Sequence, residues 1–156
     1  MSREEQLVRL GYPLDRIPLP GAIYRPVVVH GSTAYVSGCV PFDGPGNLVS
    51  VGKVGRDVTL EDAQKAAALC AANVLRLVRQ EIGSLDRVVR MLRVGGYVNS
   101  TEEFSDQHLV INGASELFAQ VLGVEAGAHA RTALGLAQLP LGSSVEVDAI
   151  LEIRGS

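Results

Sequence analysis

Between Thr59 and Gly83 the chain places small apolar residues at helical spacing, and this constrains the fold more than any other segment. Ala63, Ala67, Cys70, Val74, Leu77 and Val78 recur at intervals of three and four. A stripe with so little bulk brings the helix axis close to its partner, so the helix is expected to lie against a sheet. Thr59-Leu-Glu-Asp62 resembles a capping box with a shorter acid than the usual Glu. Gly83 supplies the stop.

The sheet has to come from the remaining runs. Residues 24–30 and 33–37 are β-rich around Gly31-Ser32, which predicts a hairpin. Pro26 lacks an N–H, so its strand belongs at an edge or carries a bulge. Residues 41–57 are turn chemistry and read as a long loop. A strand is predicted from Arg87 to Val98, and a second helix from Ser100 or Ser105 to Gly123. Within that helix Phe104, Ile111, Leu117, Phe118 and Val121 form the apolar stripe, although Asn112-Gly113 is usually a turn signal. Arg131 to Leu139 is a nearly unbroken apolar run, followed by a turn at Pro140-Leu-Gly-Ser. From Val145 to Ile153 apolar residues alternate with Glu146, Asp148, Ile150 and Glu152, the pattern of a half-buried antiparallel strand. Residues 1–21 read as a short polar helix and a Pro-rich segment. The order β-β-α-β-α-β-β implies an α+β sheet with both helices on one face. The apolar run at 132–139 then calls for a second subunit on the other face.

The 156 residues leave room for one domain, taken as 1–156. Hydrophobic residues at 47% and charged residues at 20% exclude a disordered chain. A net charge of −3 and 4% aromatics argue against nucleic-acid binding, which draws on basic surplus and stacking. Cys39 and Cys70 form no recognisable pair, and the charged N-terminus has no apolar signal core; a cytoplasmic protein is expected. Gly46-Asn-Leu-Val-Ser-Val-Gly52-Lys53 resembles a phosphate loop, but its glycines are one residue too far apart and Val54 replaces the Ser/Thr. His30, His108 and His129 lie on three different elements without an acid at ligand spacing, so no metal site is expected.

Four residues remain candidates, each with an ordinary alternative. Arg131 opens an apolar strand, where its planar fork fits a carboxylate or merely snorkels beside a neighbouring acid. Glu146 is a catalytic carboxylate or a solvated acid on the polar face of its strand. Tyr24 is a ligand contact or a core-edge residue. Cys39, after Ser37-Gly38, is a buried inert thiol unless a site lies there.

Taken together, Tyr24, Tyr35-Val-Ser-Gly-Cys-Val-Pro41, Asn73-Val-Leu, Gly83-Ser-Leu-Asp-Arg-Val88, Val98-Asn-Ser-Thr-Glu-Glu-Phe104, Asn112-Gly-Ala-Ser115, His129-Ala-Arg131 and Val145-Glu146-Val147 resemble one family. It is the reactive intermediate deaminase family (Rid, YjgF-like, also labelled endoribonuclease L-PSP). The resemblance covers about residues 20–154 and is closest to a branch with an N-terminal extension, here residues 1–21. It implies a chorismate-mutase-like fold, a homotrimer with ligand clefts between subunits, and no metal or cofactor. It also implies hydrolysis of 2-aminoacrylate or 2-iminopropanoate to a 2-oxo acid and ammonia. By position, Arg131 would hold the substrate carboxylate, Tyr24 and Asn112 would line the cleft, and Glu146 would orient a water. The backbone around Gly38 and Cys39 would touch the ligand. Cys39 stands where the better-known branch commonly has Gln. The alternatives are a trimer that binds a small carboxylic acid without turnover and, least favoured, an endoribonuclease.

Overall fold

The structure, a computed structural model, describes residues 1–155. Helix α1 (Arg3–Arg9) opens on a full capping box in which Ser2 and Glu5 bond each other's backbone amides. Strands β1 (Val27–His30) and β2 (Thr33–Cys39) form the expected hairpin, and β1 begins directly after Pro26 at the sheet edge. Helix α2 (Leu60–Ile82) is capped by the Thr59 side chain, which accepts from the Asp62 amide. Asp62 approaches Lys65 rather than completing the box, consistent with its shorter side chain. Strand β3 (Val88–Asn99), helix α3 (Gln107–Leu122), the single turn α4 (Val124–Gly127), β4 (Ala130–Leu136) and β5 (Val145–Ile153) follow.

The sheet runs β1-β2-β5-β3-β4, antiparallel except for β3 and β4, which are parallel and joined by α3. Helices α2 and α3 cover one face, as the element order predicts. Val145, Val147, Ala149, Leu151 and Ile153 point under them, and each is nearly or fully buried. The other face carries Tyr35, Arg93, Glu146, Asp148, Ile150 and Leu134. Tyr35 and Leu134 on it are 48% and 45% exposed.

The second helix starts later than its sequence predicts: α3 begins at Gln107, so Phe104 precedes it. Asn112-Gly113 makes no turn and lies inside α3, as the predicted helix requires. A Cβ at Gly113 would collide with the Gln64 carbonyl of α2, so this glycine lets the two helices meet backbone to backbone. Within one chain the apolar run 131–139 is only partly buried. β4 ends at Leu136 on the sheet edge and alternates, with Ala133 packed on the core and Leu134 on the open face. Its small residues reflect packing under α3: a Cβ at Gly135 would crowd Gln107 and Ser100.

Candidate functional site

The register of β2 against β5 shifts between Val36 and Cys39, leaving Ser37 and Gly38 as a bulge. The bulge opens space over β5, and Glu146 fills part of it. Any side chain at 38 would run into the Glu146 carboxylate, so Gly38 is what allows the acid to lie across this backbone. A cavity of about 420 Å³ begins there. Its floor is Ser37, Gly38, Cys39 and Glu146; Phe42 and Leu77 form one side; Leu19, Ala22 and Tyr24 of the N-terminal segment form another.

A buried arginine holds these walls together. Arg76 is 1% exposed; its Nε donates to the Pro13 carbonyl at 2.8 Å and its Nη1 to Asn73 Oδ1 at 2.8 Å. Asn73 in turn donates to the carbonyls of Val40 and Phe42. One helix therefore anchors both the N-terminal segment and the loop after β2.

Within the cavity Glu146 accepts no hydrogen bond among the described residues. Burial, and then the charge of Asp148, push its carboxyl above the usual range. Asp148 is satisfied by the Tyr97 hydroxyl at 2.8 Å and the Gly95 amide at 3.1 Å. Of the two acids, Glu146 is the one left without a hydrogen-bond partner among the described residues. Cys39 is on the floor, yet its thiol is buried and its pKa pushed up to about 12 by burial and the nearby acids. This is the buried, inert thiol of the ordinary reading; a neutral thiol beside two carboxylates is the lower-energy state.

Arg131 sits elsewhere, near the start of β4 with its guanidinium against α3. Nη1 donates to Asn112 Oδ1 at 2.9 Å and to Ser115 Oγ at 3.1 Å, and Nη2 donates to the His108 carbonyl at 3.0 Å. These bonds occupy three of the five guanidinium hydrogens; Nε–H and one hydrogen on Nη2 are left, enough for a two-point contact with a carboxylate. Behind Ser115 stands His129. Its Nδ1 faces the Gly127 carbonyl at 2.6 Å and must carry the proton, so Nε2 accepts from Ser115 Oγ at 2.9 Å. Burial lowers the His129 pKa, which keeps the ring neutral and the chain Arg131→Ser115→His129→Gly127 pointing one way.

Of the six expected site residues, the structure brings Tyr24, Gly38, Cys39 and Glu146 to one cavity and Arg131 and Asn112 to one cluster. It does not bring the two groups together within a chain, because β4 lies at the opposite end of the sheet from β1 and Arg131 does not line the cavity. Sequence reading missed Ser115, His129, Asp148 and Leu141, the last of which also lines the cavity. The His-Ala-Arg and Asn-Gly-Ala-Ser segments held the first two, but nothing along the chain says that they meet.

The sequence model of the "YjgF/chorismate mutase-like, putative endoribonuclease" family matches residues 4–153. The chain belongs to the YjgF (Rid) family. Its YjgF match begins inside α1, so it takes in the N-terminal helix as well as the sheet. Protein TCP17 of Trypanosoma cruzi is 41% identical over 148 residues, 95% of this chain and 92% of that protein. The crystal structure of Atu1372, a protein of unknown function from Agrobacterium tumefaciens, superposes with a TM-score of 0.90 at 46% identity, covering 99% of this chain and 94% of that one. RidA from an Antarctic Psychrobacter shares the fold at a TM-score of 0.57 and 25% identity, covering 89% of this chain and 95% of that one.

Proposed function

We propose that this YjgF-family protein hydrolyses 2-imino carboxylic acids and their enamine tautomers, the 2-aminoacrylate and 2-iminopropanoate class, to 2-oxo acids and ammonia. The reaction would take place in clefts shared between the subunits of a homotrimer. The observation that carries this reading is the division of labour between the two half-sites. Arg131 keeps two donors free for a carboxylate. Glu146, partly buried in the cavity, has no hydrogen-bond partner among the described residues and a raised pKa. A cleft joining Arg131 of one subunit to Glu146 of the next would hold the acid at one end and the imine nitrogen at the other.

The chemistry asks little more of the protein. Water adds to the imine carbon, the C–N bond breaks, and the nitrogen leaves as ammonia while the carbon keeps the oxygen. An imine is already electrophilic, so orienting it beside water supplies most of the acceleration. Glu146 would take a proton from the water and return one to the departing nitrogen.

Generating 2-iminopropanoate from alanine with an amino-acid oxidase, and following its disappearance, tests this. Wild type should shorten the lifetime of the imine. Arg131→Ala should lower kcat/KM about 10- to 100-fold, as expected for losing charged hydrogen bonds of ~1.5–3 kcal/mol. Arg131→Lys keeps the charge without the fork and should fall in between. An unchanged imine lifetime with wild-type protein would refute the activity.

A further inference from the structure

Resting on the imino-acid reading, the chemistry of the cavity narrows the substrate. Of the groups that line it, Glu146 is the one carboxylate, and no Lys, Arg or His is among them. A substrate carboxylate would be repelled there and belongs at Arg131. Apart from the hydroxyls of Tyr24 and Ser37, the side chains that line it are mostly hydrocarbon, among them Leu19, Ala22, Phe42, Leu77 and Leu141. At about 420 Å³ the space lies in the range of ligand sites for larger organic molecules, ~300–1,000 Å³. A three-carbon imino acid has six non-hydrogen atoms; even if each took the ~30 Å³ of a water molecule in the liquid, it would fill less than half of the space.

Leu141 supplies a second, independent observation. It is the one non-glycine residue among those described with positive φ (φ 61°, ψ 13°), and its side chain is 71% exposed at the cavity. A leucine gains nothing from the left-handed conformation, which Asn or Gly adopts with less strain. An exposed apolar side chain held this way points to something that covers it.

We infer that the cavity takes the hydrocarbon arm of a 2-imino acid larger than three carbons, branched aliphatic or aromatic, with its imine N–H toward Glu146 and Leu141 as a specificity residue. The N-terminal segment, pinned through Arg76, is then a wall of the substrate pocket.

Calorimetric titration of the full chain with pyruvate, 4-methyl-2-oxopentanoate and phenylpyruvate, the 2-oxo products, tests this without relying on turnover. The two larger acids should bind at least tenfold more tightly than pyruvate. Leu141→Asn should reduce that preference several-fold while leaving the melting temperature unchanged or higher, because it relieves the backbone. Equal or tighter binding of pyruvate overturns the inference and leaves the deaminase reading standing, as does a preference that Leu141→Asn does not change. If none of the acids binds, the carboxylate reading falls. Benzylamine, which has the arm and the nitrogen but no carboxylate, then probes the cavity alone, and its failure to bind overturns the inference as well.

Discussion

Glu146 shows how one missing Cβ sets the chemistry of a neighbour. The carboxylate lies on the Gly38 backbone, away from bulk water and close to Asp148, and both conditions raise its pKa from the ordinary 4.5. The folded protein therefore binds a proton more readily than the unfolded chain does. Stability from this group is fully present below pH 4.5 and is lost as pH rises through the elevated folded value. Glu146→Gln removes that loss. Its melting temperature should exceed that of wild type at pH 8, with the difference vanishing below about pH 4.5, and turnover should be abolished in the same variant. A lower melting temperature at pH 8 would mean that Glu146 has a partner that stabilises its charge. Cys39 makes the complementary case. With a pKa near 12, essentially no thiolate of Cys39 exists at pH 7.5, and burial also pushes the Cys70 thiol well up. Iodoacetamide should modify neither thiol in the native protein and both in urea, as mass spectrometry would show. Rapid native labelling of Cys39 would contradict its burial.

At the scale of elements, the crossing of α2 and α3 is set by Gly113 against Gln64. In an isolated helix Gly→Ala adds about 1 kcal/mol of stability. Here the new methyl meets a carbonyl of the facing helix, which cannot retreat without moving α2. Overpacking of this kind usually costs ~1–3 kcal/mol, so Gly113→Ala should destabilise despite its better propensity. Urea denaturation gives the sign directly, and a stabilised variant would show that the helices can part cheaply. The consequence reaches the site, because Asn112 sits next to this contact and α3 supplies all three acceptors of Arg131: Asn112, Ser115 and His108.

On the scale of the whole molecule, the helices use one face of the sheet and leave Tyr35, Ile150 and Leu134 on the other, around Glu146, Asp148 and Arg93. An exposed face that mixes apolar and charged residues suits the interface that the proposed trimer requires. Light scattering after size exclusion should give a mass of three chains, and Leu134→Glu should shift it toward one chain with the circular dichroism unchanged. The assembly and the shared cleft are tested together: loss of the trimer should also remove turnover, since Arg131 and Glu146 do not meet within one subunit. A monomeric wild type that still consumes imine would separate them.

Periodicity along the chain determined the elements, because burial on one face imposes a spacing of two on a strand and 3.6 on a helix. The Ala63-to-Val78 stripe, the alternation from Val145 to Ile153 and Pro26 ahead of an edge strand were all legible there. The family resemblance, carried by the order of short segments, named the six candidate residues. What the tertiary structure decided is which of them meet. Asn112-Gly113 has the composition of a turn and forms a helix contact, because the carbonyl it must clear belongs to a helix some fifty residues earlier. Cys39 has the position of a ligand contact and the environment of a core thiol, because the residues that bury and desolvate its sulfur come from elsewhere in the chain. Arg131 and Glu146 lie fifteen residues apart in sequence but on different faces of the sheet. A strand's neighbours are chosen by hydrogen bonding across the sheet, and sequence spacing carries no record of that choice.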